Sequence, residues 1–309
     1  MQRFYLNWAL LATLSAVLLA AGYFCEPPHT AHAAVVATAA ATASASAKTS
    51  SAPVPAWLVG HSRKKGICMG KGQGARTWDQ MLELLHVGWV YNWMLRPRGR
   101  TPTAVSFIPM DWGHRWELAR DIPWLTAQHL SHHYKYVLTF NEPDNRKQAN
   151  IPVQQALDMW PKLESTGMVL GSPACVHPNG PWMRRFMRGA AAKHYRVEFV
   201  CVHWYGAPNA KAFLRMLHQT YTHYHRPIWI TEFAVADWHA SREHPNAYSQ
   251  ATVERFMKAV LPVLNRLHYV QRYAWFPYGG TSRYKPLGCS GLFDKQGNLT
   301  PLGQVYASY

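Results

Sequence analysis

From Trp57 onward the chain alternates short apolar runs with stretches of helical periodicity, and this rhythm restricts its fold more than any other feature. Eight runs read as strands: Gly66–Met69, Val87–Asn92, Val105–Met110, Tyr136–Phe140, Met168–Gly171, Phe199–His203, Ile228–Thr231 and Val270–Trp275. Between them lie helix-like stretches at Thr77–His86, weakly near Arg115–Ala119, and at Val153–Ser165, Pro181–Lys193, Ala210–Tyr224, Ser249–Leu267 and Pro301–Ala307. The segments "QMLELLHV" and "VERFMKAVLPVLNRL" show the three-and-four apolar spacing of amphipathic helices. The strand runs are continuously apolar, as parallel strands covered on both faces should be. Eight such units in about 250 residues match a (β/α)₈ barrel, so the expected class is α/β, a TIM barrel. It would form one domain over residues 57–309. A doubly wound open sheet is the alternative, and it would normally carry a Gly-rich phosphate loop after its first strand. Gly70-Lys71-Gly72-Gln73-Gly74 stands there but fits neither the dinucleotide fingerprint nor the P-loop, which needs Ser or Thr after its Lys.

The segment before the barrel has a different character. One positive charge in Met1–Arg3 precedes the uncharged, mostly apolar Leu6–Phe24, and Ala31-His32-Ala33 offers a small-x-small cleavage site. Residues 1–33 therefore read as a signal peptide, with an uncleaved N-terminal anchor as the alternative. Residues 34–56, "AVVATAAATASASAKTSSAPVPA", read as a disordered Ala/Ser/Thr/Pro-rich linker. The expected location is secreted, periplasmic or at the cell surface. Cys68, Cys175, Cys201 and Cys289 contain no C-x-x-C pair, and no bridge can be assigned among them.

The formal charge of +16 suits association with an anionic cell surface or polymer. The cations are scattered, and there is no zinc-finger spacing, RNA-recognition signature or basic arm, so no nucleic-acid partner is expected. A monomer is expected. His132, His133, His218, His223 and His225 make no H-E-x-x-H pattern, and neither a metal nor a cofactor is expected.

In a barrel, chemistry sits where strands end. The second run is followed by Tyr91-Asn92-Trp93 and the third by Asp111-Trp112. The fourth ends in "YVLTFNEPDN", with Asn141 and Glu142, and the sixth in "VCVHWYG", with His203, Trp204 and Tyr205. The seventh, "PIWITEF", ends in Glu232, and the eighth in Trp275-Phe276. Two carboxylates among aromatic platforms are what cleavage of a glycosidic bond requires: one protonated to assist the leaving oxygen, the other ionised.

"LTFNEPD", "GSPA", "FVCVHWYG", "PIWITEFA" and "RYAWF", in this order, resemble glycoside hydrolase family 128, a family of β-1,3-glucan-cleaving barrels in a retaining clan. "VYNW", "IPMDW" and "LFDKQGNLTPLG" fit the same resemblance, which covers nearly all of Lys64–Tyr309. It implies a secreted retaining endo-β-1,3-glucanase whose partner is a β-glucan. Glu142 would be the acid/base and Glu232 the nucleophile. Asn141 would bond the sugar 2-hydroxyl, and Tyr205 with His203 would hold Glu232 ionised. Trp275 would form the floor under the reacting sugar, with Trp93, Trp112 and Trp204 as further platforms and Tyr91 and Asn92 in the substrate-binding set. Asp111 departs from the family pattern and is expected on the rim, where it would bond sugar hydroxyls. Glu142, facing the charge of Glu232, is expected to bind its proton more tightly than usual. Two other readings stay open: the same fold acting on another polysaccharide, such as a self-made anionic exopolymer, and a non-catalytic carbohydrate-binding wall protein.

Overall fold

The computed structural model describes residues 54–114, 116–278 and 282–309; the segment read as a leader and most of the linker lie outside the described residues. The described chain opens with a 3-10 turn at Ala56–Leu58, which buries Leu58. The strands are β1 (Lys65–Cys68), β2 (Trp89–Tyr91), β3 (Ser106–Phe107), β4 (Met110–Asp111), β5 (Tyr136–Asn141), β6 (Val169–Ala174), β7 (Val200–Gly206), β8 (Ile228–Val235) and β9 (Val270–Trp275). The helices are α1 (Trp78–Leu84), α2 (Leu118–Leu130), α3 (Val153–Glu164), α4 (Pro181–Ala192), α5 (Ala210–Tyr224), α6 (Gln250–Arg266) and α7 (Pro301–Ala307).

All strand pairings among these elements are parallel, in the orders β3-β2-β1-β9-β8-β7 and β4-β5-β6. The run expected as one third strand is split by Pro109, which has no N–H to donate to a ladder. Ile108 still donates to Val90 of β2, while the Pro109 carbonyl already accepts from Leu138 of β5. The third barrel strand thus passes from one neighbour to the other at its midpoint. Between β6 and β7 the circle closes through the Gly171–Phe199 bridge, with Glu198 donating to Leu170 and Ser172 to Phe199, each at 2.9 Å. A Cβ on Gly171 would stand 2.5 Å from the Phe199 ring, so this approach requires glycine. The expected (β/α)₈ barrel is what the chain forms.

The side-chain layer inside the barrel includes Tyr91, Ile108, Met110, Leu138, Phe199 and Trp229. A larger layer joins the outer strand faces to the helices. Side chains alternate between these two layers along most of the strands, as in Ile228-Trp229-Ile230, whereas Phe233, Ala234 and Val235 all fall in the larger layer. Lys65 is an exception to polar exposure: it is fully buried, and its Nζ donates 3.0 Å bonds to the carbonyls of Tyr306 and Ala307 at the end of α7. That places a donor where unpaired helix carbonyls gather, while burial lowers the Lys65 pKa to about 7.

One local expectation changes. The weak helix near Arg115–Ala119 is α2, which begins at Leu118 and runs for 13 residues with Pro123 inside it. The loop 92–105, after β2, carries no helix. Among the described residues the four cysteines are free, with Cys68, Cys175 and Cys201 buried. No helix among these residues is long and apolar enough to cross a membrane.

Candidate active site

The end of β5 delivers Glu142. Phe140 and Glu142 have φ of 28° and 42°, so the chain twists into a region that side chains disfavour on both sides of Asn141. The Glu142 N–H, donating to Ala174 O at 2.8 Å, ties this turn to the end of β6. Glu232 lies within β8 and pairs in register with His203 of β7 just past a register shift between Val202 and His203. Such shifts re-aim side chains at barrel rims.

The two glutamates face each other through His203. Its Nδ1 lies 3.1 Å from Glu142 Oε1 and its Nε2 lies 3.5 Å from Glu232 Oε1. The first is a hydrogen bond, and the second a longer charge contact. Glu232 Oε1 accepts from Tyr91 at 2.9 Å and from the Trp93 indole at 2.7 Å, and Oε2 accepts from Tyr205 at 2.5 Å. Glu142 Oε2 accepts from Asn145 Nδ2 at 3.0 Å. Burial and the charge of Glu232 push both the Tyr91 and Tyr205 hydroxyls well above their ordinary range, so both remain donors.

Burial also works against charge on His203, but Glu232 and then Glu142 outweigh it and raise its proton affinity. For Glu142, burial works against ionisation, yet the bond to His203 and its charge, then Asn145 and His177, bring the carboxyl below its ordinary value. The expectation of tighter proton binding by Glu142 is therefore corrected for the unliganded site. The reason is the buried His203, whose hydrogen bond and charge favour the Glu142 anion.

Glu142, His203 and Glu232 offer ligand atoms within 4.8 Å of one another, a spacing a metal ion could use. Their orientation opposes it. The two nitrogens of the His203 ring point to different carboxylates, and an ion can engage one nitrogen only. Both Glu232 oxygens already accept hydrogen bonds.

These groups open on a cavity of about 650 Å³ lined by Glu142, Asn145, His203, Tyr205, Glu232 and Phe276 among others. Trp204 lines it while its ring stacks on Phe256. Beyond Trp93 a second cavity of about 590 Å³ is lined by Trp93, Trp112, His114 and Trp124. Asn141 stands behind the first cavity's lining; its Nδ2 donates to Gln148, and its buried Oδ1 has no partner among the described residues.

Three further residues expected at the cleft stand elsewhere. Trp275 is 0% exposed, packs edge-on against Phe233, and donates its indole N–H to Ser290 O. Its neighbour Ala274 faces the barrel interior, so Trp275 turns outward, and Phe276 takes the cleft position against Tyr205 and Trp93. Asp111 is buried behind the rim, because Met110 takes the inward place. Asn92 bonds Arg96 O and Met94 N and so shapes its own loop. Sequence reasoning missed Asn145, although it lies in the same "NEPDN" stretch, and it took Trp93 as a platform where the indole is also a donor to Glu232.

A profile described as the glycosyl hydrolase catalytic core matches residues 66–306. An endo-β-1,3-glucanase of family 128, subgroup I, from Amycolatopsis mediterranei, solved with laminaritriose, is 35% identical, covers 80% of this chain and 99% of its own, and superposes with a TM-score of 0.65. The chain belongs to glycoside hydrolase family 128. A curdlan-specific exo-β-1,3-glucanase of subgroup III from Blastomyces gilchristii is 26% identical over 80% of this chain and 98% of its own, with a TM-score of 0.61. Alkali-sensitive linkage protein 1 of Schizosaccharomyces pombe is 30% identical over 182 residues, 56% of this chain and 32% of that protein. The chain therefore spans about a third of this curated relative's length.

Proposed function

We propose that this family 128 member is a retaining endo-β-1,3-glucanase. The observation that carries the reading is the pair of carboxylates whose oxygens approach within 4.8 Å across one cleft. A directly attacking carboxylate needs a separation of roughly 5–5.5 Å between carboxyl groups, whereas an interposed water needs about 6.5–9.5 Å. The relatives solved with laminari-oligosaccharides support the substrate class.

Glu232 attacks the anomeric carbon. Its Oε1 is occupied by Tyr91 and Trp93, while Oε2 has the single bond from Tyr205, so Oε2 keeps the lone pair that attacks. Three donors hold the carboxylate in place before substrate arrives. Glu142 supplies the proton to the leaving oxygen. His203, whose proton affinity is raised, lies 3.1 Å from Glu142 Oε1, and its proton crosses this hydrogen bond to Glu142 as sugar displaces water from the cleft. As Glu232 becomes an ester its negative charge disappears and that of Glu142 appears, so once its proton has crossed His203 faces one anion both before and after this step. Water then gives a proton to Glu142 and attacks the anomeric carbon, releasing Glu232.

Cavities on both sides of Trp93 give room for sugars on either side of the cleaved bond, which favours internal cleavage. Incubation with β-1,3-, β-1,4- and mixed-linkage glucans, chitin and anionic exopolymers, with sizing of the products, tests the reading. Short laminari-oligosaccharides from β-1,3-glucan alone are expected. Products from another polymer only, or tight binding without cleavage, would replace it. We also infer export with residues 1–33 removed, which N-terminal sequencing of the native protein checks.

A further inference from the structure

At the barrel end opposite the glutamates lies a third cavity, of about 520 Å³. The starts of β3 and β5 line it at Ser106 and Tyr136, with His132, His133 and Lys135 before β5, Thr101 from the loop 92–105, and Arg272 from β9. No acidic residue lines it. Its polar atoms are unusually idle. Thr101 Oγ1 and Arg272 Nη1 are both buried and find no hydrogen-bond partner among the described residues.

Arg272 is held by aromatic faces rather than by an acid. Its guanidinium sits 4.3 Å from the centre of the Trp229 ring, 5.2 Å from Tyr136 and 5.5 Å from Trp89. These contacts stabilise the cation but leave Nη1 without a hydrogen-bond partner among the described residues. A planar guanidinium with free donors is matched by a carboxylate or another oxyanion. Lys135, exposed at the cavity edge, adds a second cation. Burial lowers the proton affinity of Arg272 to about 10, which leaves it charged at neutral pH and in want of a counter-charge. The cavity exceeds what a bare oxyanion needs, and Tyr134 in its lining offers aromatic surface of the kind sugar rings stack on.

We infer that this cavity binds a carboxylate-bearing sugar, such as a uronic acid unit of an acidic polysaccharide, with the carboxylate on Arg272 and Thr101. Such a ligand differs from the neutral glucan of the catalytic cleft and would hold the enzyme on an anionic polymer while the opposite end works.

Calorimetric titration of the full chain with D-glucuronate, D-glucose and sodium sulfate at constant ionic strength tests this. Saturable one-to-one binding of glucuronate is expected, with none for glucose and an affinity for sulfate about tenfold weaker. Thr101→Val and Lys135→Glu should each weaken glucuronate binding several-fold and leave laminarin hydrolysis unchanged. Arg272→Gln should abolish it; because that residue also packs the barrel end, the two milder variants decide between a lost site and a lost fold. Absence of saturable binding, equal affinity in Thr101→Val and Lys135→Glu, or displacement of glucuronate by laminari-oligosaccharides would overturn the site. Equal affinity for sulfate and glucuronate would show an adventitious oxyanion site and overturn the sugar assignment.

Discussion

Glu232 and Asp111 are both buried carboxylates at the rim end of barrel strands, and their surroundings are opposite. Glu232 is met by Tyr91, Trp93 and Tyr205, with His203 beside it. Asp111 receives one bond, from the Gly113 N–H, and its Oδ2 has no partner among the described residues. Burial raises the Asp111 pKa to about 7, helped by the nearby charge of Asp121. Burial alone therefore does not mark a working carboxylate. Convergent donors do, because they hold a charge ready in a place that would otherwise neutralise it.

The comparison breaks if the two sites respond alike to substitution. Glu232→Ala should reduce kcat on laminarin by on the order of 10⁵-fold and regain turnover with azide, while Asp111→Ala leaves kcat within about tenfold. Glu142→Ala should cost about 10²–10⁴-fold, most with poor leaving groups. If Asp111→Ala matched Glu232→Ala, the donor argument would fail.

His203 sharpens the cleft side of the comparison. Its folded proton affinity is raised above the ordinary 6.5, so the shared proton is present at low pH and lost as pH rises through the folded value. Activity should fall on that alkaline limb. His203→Gln should lower kcat by on the order of 10²-fold and move the limb toward the intrinsic titration of Glu142. An unchanged limb would remove His203 from the proton path. The same sign applies to stability: the His203 contribution is full below 6.5 and declines above it.

A second contrast separates neighbours on one strand. Trp275→Ala should cost about 3–5 kcal/mol of stability by emptying packed space. Phe276→Ala should leave the melting temperature within a few degrees but raise KM. Reversed effects would put Trp275 back at the cleft.

The smallest expected effect lies at Asp111. A carboxyl whose folded pKa is raised holds its proton longer when folded, so stability falls as pH rises from 3.8 to about 7. Asp111→Asn should flatten that slope and gain on the order of 2 kcal/mol at pH 8 in denaturant melts. No gain would mean that Asp111 is solvated or paired.

These contrasts also mark what the sequence could reveal. The ends of β5, β7 and β8 were legible because polar residues follow apolar runs there, and those ends are where a barrel gathers its chemistry. Which of two neighbours faces inward was not legible. Parallel strands buried on both faces give no alternation to count, so Trp275-Phe276 and Met110-Asp111 look equivalent on paper. The register shifts in β7–β8 and β8–β9 defeat counting further. Helix α2 was obscured by Pro123, which a packed helix tolerates and a periodicity reading does not. The bridging place of His203 depends on β7 and β8 lying side by side, which no local pattern encodes.

In the proposed mechanism Glu232 attacks the sugar directly and Glu142 serves both steps. The most direct test is proton NMR of the first minutes of laminari-oligosaccharide hydrolysis, before the products mutarotate. New reducing ends are expected to appear first as the β-anomer, with the α-anomer growing later. New ends appearing first as the α-anomer would mean that water attacks in a single step, and would contradict this mechanism.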